Sequence, residues 1–229
     1  PPDQNTENSP TSVPHIVTSD PVIPTPVPDI VTSNPATLYA INLTKEGSFL
    51  VSDQLKAHLS FRPHPDAPGL VIPILKFWYP SNANSEYDEP TLTYDTGMGV
   101  VNSTNEQFRC SSLQSDISCF ILQIVELDNS NQAPEVLFSE YSGGAHCCTT
   151  ITIFYQDKHA TWQYTQLDWL DGYPVGATTI DGIDDNVIVT SDNRFLYKFD
   201  AYALSLAPNR IYTIQSGKFV DISDDDILA

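Results

Sequence analysis

Apolar and polar positions come in short bursts along most of this chain, and turn residues separate them. Residues 38–43 alternate with a period of two, which predicts a strand. Residues 71–79 are apolar and aromatic, and Pro73 inside them predicts an edge strand or a bulge. Residues 81–107 are polar, with Gly97 and Gly99, and read as hairpins and loops. Beyond them the rhythm is clear, with strands predicted over residues 119–126, 135–140, 149–155, 162–167, 186–190, 195–199, 210–214 and 219–222. Asp171-Gly172, Asp192-Asn193 and Ser216-Gly217 supply turns between them. Strands so closely spaced predict an all-β domain built as an antiparallel meander, either β-propeller-like or a sandwich or barrel.

The first 36 residues break this pattern. They hold nine of the 18 prolines and neither Lys nor Arg. Proline fixes φ and removes a donor, so an extended N-terminal arm is predicted here, with the β domain over residues 37–229. The arm contains a duplication. Val13-Pro14-His15-Ile16-Val17-Thr18-Ser19-Asp20-Pro21 returns as Val27-Pro28-Asp29-Ile30-Val31-Thr32-Ser33-Asn34-Pro35. One expectation is a spacer. The other is a docking arm whose β-prone pairs, Ile16 with Val17 and Ile30 with Val31, add to a sheet edge of a neighbouring subunit.

Composition narrows the partners. Acidic residues outnumber basic ones 29 to 10, for a formal charge of −19, which opposes binding to nucleic acid or anionic lipid. No apolar run reaches the length of a membrane-spanning helix. The four cysteines, Cys110, Cys119, Cys147 and Cys148, form an even set in an acidic β chain and predict disulfides. Cys110 and Cys119 flank a short polar loop, and a bridge closing it contributes ~2–3 kcal/mol. Free buried thiols are the alternative. A vicinal bridge is predicted between Cys147 and Cys148. The chain opens at Pro1 in a polar segment, as a processed product does. An exported protein is therefore expected, extracellular, on the cell surface or in a periplasm.

The most distinctive stretch is Tyr141-Ser142-Gly143-Gly144-Ala145-His146-Cys147-Cys148. With Thr179-Ile180-Asp181-Gly182-Ile183-Asp184-Asp185, Asp192-Asn193-Arg194-Phe195-Leu196-Tyr197 and Gly217-Lys218-Phe219-Val220-Asp221-Ile222, it resembles a group of exported bacterial proteins related to FG-GAP/VCBS-type β-propeller repeats. The resemblance spans about residues 120–222. It implies acidic loops that offer calcium several oxygen ligands. Glu126, Asp128 and Ser130 keep part of that spacing, with Glu135 as a distal ligand, and a second loop offers Asp181, Asp184 and Asp185. Residues 129–133 lack the usual glycine turn, so weak calcium binding or plain solvated turns are expected, and no other cofactor.

Other chemistry is sparse. His146 beside Cys147 and Cys148 lacks the four-ligand set of a zinc site, and a Cys-His nucleophile needs a reducing site and a separate base. No G-x-S-x-G, phosphate-binding loop or dinucleotide fingerprint occurs. Trp162, Trp169 and Tyr173, with Asp168 and Asp171, make a candidate glycan face, against the simpler reading of packed aromatics. Asn42 and Asn102 open N-glycosylation patterns of the kind that arise by chance. The expected function is a non-catalytic surface or scaffold module, self-assembling through its arm. The alternatives are a carbohydrate- or cation-binding module and, less favoured, a secreted hydrolase. Expected partners are further copies of the chain, another surface protein or a glycan.

Overall fold

The computed structural model describes residues 30–31, 36–39, 48–52, 54–68, 70–79, 89–97, 100–101, 120–131, 133–141, 149–172, 174–196, 198 and 207–223. In chain order the strands begin with β1 (Ile30–Val31), β2 (Ala36–Tyr39), β3 (Ser48–Val51), β4 (Lys56–Pro63) and β5 (Leu70–Trp78). β6 (Leu92–Asp95), β7 (Val100–Val101), β8 (Phe120–Val125), β9 (Glu135–Tyr141) and β10 (Thr149–Gln156) follow. The last are β11 (Trp162–Leu170), β12 (Ala177–Thr178), β13 (Val187–Ser191), β14 (Asn209–Gln215) and β15 (Lys218–Asp221). Among the described residues there is no α-helix, so the domain is all-β.

The strands form three sheets. The first runs β1-β3-β4-β5-β6, with β7 also pairing with β5. The middle sheet runs β11-β10-β9-β8-β2 and the third β12-β13-β14-β15. All pairings are antiparallel except β1 with β3, where Ile30 and Val31 lie parallel to Phe49 and Leu50 of the same chain.

Two hydrophobic clusters join the sheets, and they use opposite faces of the middle one. Phe120, Leu122, Ile124, Val136, Phe138 and Phe154 pack with Leu50, Leu59, Leu75 and Phe77 of the first sheet. Ile121, Val125, Leu137, Ile151 and Ile153 pack with Ile188, Tyr212 and Ile214 of the third. Successive strand residues point to opposite faces, so β8, buried at all six positions, is apolar on both sides. Each of the fully buried Phe and Leu side chains contributes on the order of 1.5–3 kcal/mol. Polar side chains of the middle sheet also reach the third. The buried Gln123 amide accepts from Ala177 N at 2.7 Å and donates to the Ala177 carbonyl at 3.2 Å, pairing with β12 as a strand would. The Ser139 hydroxyl accepts from Val175 N at 3.1 Å.

Two expectations need correction. β5 is an interior strand, not an edge, although it contains Pro73. Its register with β4 runs unbroken through Pro73. On the other side β6 reaches Ile74 and β7 starts at Val71, so Pro73 sits at the break between two partners and no ladder needs its missing N–H there. The strand predicted over residues 195–199 is instead preceded and replaced, in its described part, by a 3-10 turn (Asn193–Phe195). Asp192 accepts from Arg194 N at 3.0 Å and caps it, a local bond that competes with strand pairing. The cysteines, and Ile16 and Val17, lie outside the described residues.

Ser216 and Gly217, with φ of +50° and +72°, make the tight turn between β14 and β15. A Cβ on Gly217 would lie 2.0 Å from Tyr155 Cζ. We expect Gly217→Ala to lower the unfolding free energy by about 1–3 kcal/mol through strain and crowding together. Urea denaturation checks this, and a loss below a few tenths would show that Tyr155 moves aside freely.

Candidate functional site

Functional chemistry in this fold is to be sought among its buried acids and its exposed aromatics. Glu135 opens β9 and is fully buried. Its Oε2 accepts from Leu127 N at 2.7 Å and Asp128 N at 3.2 Å, and its Oε1 from Asn131 Nδ2 at 2.7 Å. The carboxyl therefore clamps the turn after β8. Burial pushes its pKa up to about 7, against the pull of those three hydrogen bonds. Asp128 is spent similarly, accepting from Ser130 N at 3.1 Å and from Gly217 N at 3.4 Å.

The two acidic loops do meet. Asn129 Nδ2 donates to Asp185 Oδ1 at 2.6 Å, and Asn186 Nδ2 donates to the Glu126 carbonyl at 2.9 Å. Burial, then Asp128, raises the pKa of Glu126. Asp181 and Asp184 stand exposed on the turn beside Gly182. Among the described residues no group of three or more His, Cys, Asp or Glu is placed to hold a metal ion. The geometry here is amide-to-carboxylate stapling for Asp128, Glu135 and Asp185, each of which accepts from an amide N–H.

A second buried carboxyl has no such bonds. Glu140 on β9 is 2% exposed, and its Oε2 has no hydrogen-bond partner. Alternation places it on the face of Phe138, toward the first sheet. Nearby, Gln166 Nε2 donates to Tyr94 Oη at 3.0 Å and Thr152 Oγ1 at 3.1 Å. Burial, reinforced by Asp168, pushes the Glu140 pKa up to about 8, so the group is neutral at pH 7. Burial, with Glu140 second, pushes Tyr94 up to about 12.

Asp168 belongs to a bulge. The β10–β11 register passes from Thr149 opposite Leu170 to Ile151 opposite Leu167, so Asp168 and Trp169 are looped out. Trp169 has φ of +61°, which a residue with a Cβ adopts at a cost of roughly 1–2 kcal/mol. Asn193 holds it there. Its Nδ2 donates to the Trp169 carbonyl at 2.7 Å, and its Oδ1 accepts from Asp171 N at 3.3 Å. The indole is 73% exposed. Such an arrangement can present a flat aromatic surface beside a carboxylate to a ligand.

The expected glycan face is divided. Trp162 packs into the core, its ring 4.6 Å from Phe77 and 5.6 Å from Tyr79, and its Nε1 is buried. Seven residues of extended strand, roughly 20 Å, separate it from Trp169. His146 and Tyr173 lie outside the described residues. Asn193 was missed in the sequence, where Asp192-Asn193 reads as a turn signal; the left-handed residue that it clamps is 24 positions away.

No family model and no solved structure matches the chain. Over 113 residues it is 40% identical to a probable thylakoid lumen protein of Synechocystis sp., covering 48% of this chain and 33% of that protein. Over 101 residues it is 32% identical to an uncharacterized protein of Sinorhizobium fredii, covering 44% of this chain and 16% of that one. The chain thus spans a third or less of these curated relatives. It resembles part of a probable thylakoid lumen protein.

Because φ at Trp169 suits glycine, Trp169→Gly should raise the unfolding free energy by about 1 kcal/mol. Asn193→Ala should lower it by about 1–2 kcal/mol. Chemical denaturation reads both, and a destabilised Trp169→Gly would mean that the indole holds the fold.

The two raised carboxyls set a pH dependence. Native Glu135 and Glu140 keep protons that the unfolded chain releases from about pH 4.5. Their contribution is complete below that pH and is lost as pH rises through about 7 and then about 8. Unfolding free energy should therefore fall between pH 5 and 8, by at most ~1.4 kcal/mol per unit for each group. Glu140→Gln should flatten the part between pH 7 and 8; an unchanged slope there refutes the assignment.

Proposed function

We propose that the chain is a non-catalytic interaction module that works outside the cytoplasm. The observation that carries this reading is Trp169, a large aromatic held in solvent on a costly backbone conformation. The lumenal relative supports the location. The two most perturbed carboxyls support the absence of catalysis, since Glu135 is used as a structural clamp and Glu140 is sealed from solvent. Three meander-like sheets stacked face to face support a propeller-like architecture, and the covered third of the relative leaves room for further sheets in a whole protein of that kind.

The specific form of the proposal is a scaffold that self-assembles through the N-terminal arm. Its support is the second copy of the repeat, whose Ile30 and Val31 enter the first sheet as an added strand beside β3. The first copy carries the same Ile-Val-Thr and can add to an edge of another subunit. The other reading, a carbohydrate-binding module, draws on Trp169 and Asp168.

Light scattering separates these. The full chain should run as an oligomer, and a variant lacking residues 1–22, which keeps β1, as a monomer. If both show the same number of subunits, the arm does not assemble the protein and the module binds something other than itself.

A further inference from the structure

Trp169 carries two costs, an exposed indole and a left-handed backbone, and Asn193 sustains both by fixing the bulge. The rest of the protein shows what such rings do with charge. Lys56 Nζ lies 4.2 Å from the Phe49 ring centroid and 5.2 Å from that of Trp78. Arg210 stands 5.3 Å from the Tyr212 ring. Among the described residues no cation covers Trp169. The 3-10 turn beside it brings Arg194, but that guanidinium is bound to Asp192, with Nε at 2.8 Å from Oδ1.

The charge at this end is negative. Asp168, next to Trp169 in the bulge, is exposed, and it acts on the buried Glu140 strongly enough to help hold it neutral. The chain as a whole has 29 acids and 10 basic residues. We propose that Trp169 and Asp168 form a docking site for a lysine or arginine side chain carried by an extended basic segment of a partner protein. The cation lies on the indole face and pairs with the Asp168 carboxylate. β11 helps to hold the rest of the segment. Among the described residues it pairs only with β10, and it contains no Lys, Arg or Pro to block a further strand. The bulge ends that edge and sets the position of the anchoring cation.

Charge selects this occupant over the others. The chain's own residues 1–36 contain no Lys or Arg, so the arm has nothing to offer Asp168. A neutral glycan would stack on the indole and hydrogen-bond the carboxylate through its hydroxyls, but it would leave the negative charge unpaired. The inference rests on the interaction-module reading and is independent of self-assembly.

The test is titration of the full chain with pentalysine amide at low salt, followed by tryptophan fluorescence and calorimetry. Binding should weaken about tenfold in Trp169→Ala and several-fold in Asp168→Asn, and Trp169→Phe should keep part of it. Asp66→Asn removes one exposed charge elsewhere and should bind like the parent chain. Trp169→Gly guards against misfolding, since it should remain folded and yet lose binding. Equal binding by all variants would reduce the effect to diffuse attraction by an acidic surface and overturn the site. So would Trp169-dependent binding of cellohexaose with none of pentalysine, which would establish a glycan platform. Either failure leaves the light-scattering result standing, because that experiment reads the N-terminal arm and not Trp169.

Discussion

The fold depends on a middle sheet that is dry on both faces. β8, β9 and β10 supply apolar side chains alternately to the first and third sheets, so neither outer sheet has a core without it. Removing one face from water is enough for an ordinary antiparallel sheet. Here the second face makes β8 an apolar run rather than an alternation, and it ties the order of the sheets to the order of the chain.

A sheet covered on both sides admits polar groups only with partners. Gln123 and Ser139 meet that condition by serving the backbone of residues 175–177, which replaces part of a missing strand pairing at the edge of the third sheet. Glu135 meets it with two backbone N–H groups and an asparagine. Glu140 does not, and its proton is the consequence: a neutral carboxyl costs far less to bury than a carboxylate. In the acidic loops Asp128 and Asp185 each accept from an amide N–H, whereas Asp181 and Asp184 stand in solvent.

The edge at β11 is under the opposite constraint. It is open to solvent, and there the structure tolerates a looped-out pair of residues, a left-handed tryptophan and a carboxylate beside it. An edge is where a bulge costs least, since only one partner strand has to accommodate it. Function is therefore sought at the end of the middle sheet that its packing leaves free.

The sequence by itself determined the class and most of the strands. Period-two patterning and turn pairs marked β9, β10, β11, β14 and β15 to within a few residues, and a strand was legible over the run that holds β8, whose burial on two faces was not. It also marked Trp169 as an aromatic of interest. It did not separate Trp169 from Trp162, because the two have the same local setting and differ only in what lies across from them, Phe77 and Tyr79 over one and solvent over the other. Pro73 within an interior strand, the turn at residues 193–195 in place of a strand, and the clamp from Asn193 to the Trp169 carbonyl were likewise decided by tertiary structure. Each depends on a partner far away in the chain or on a gap between two strands. Local pattern records which residues suit a strand; only packing decides which face finds a neighbour and which remains in water.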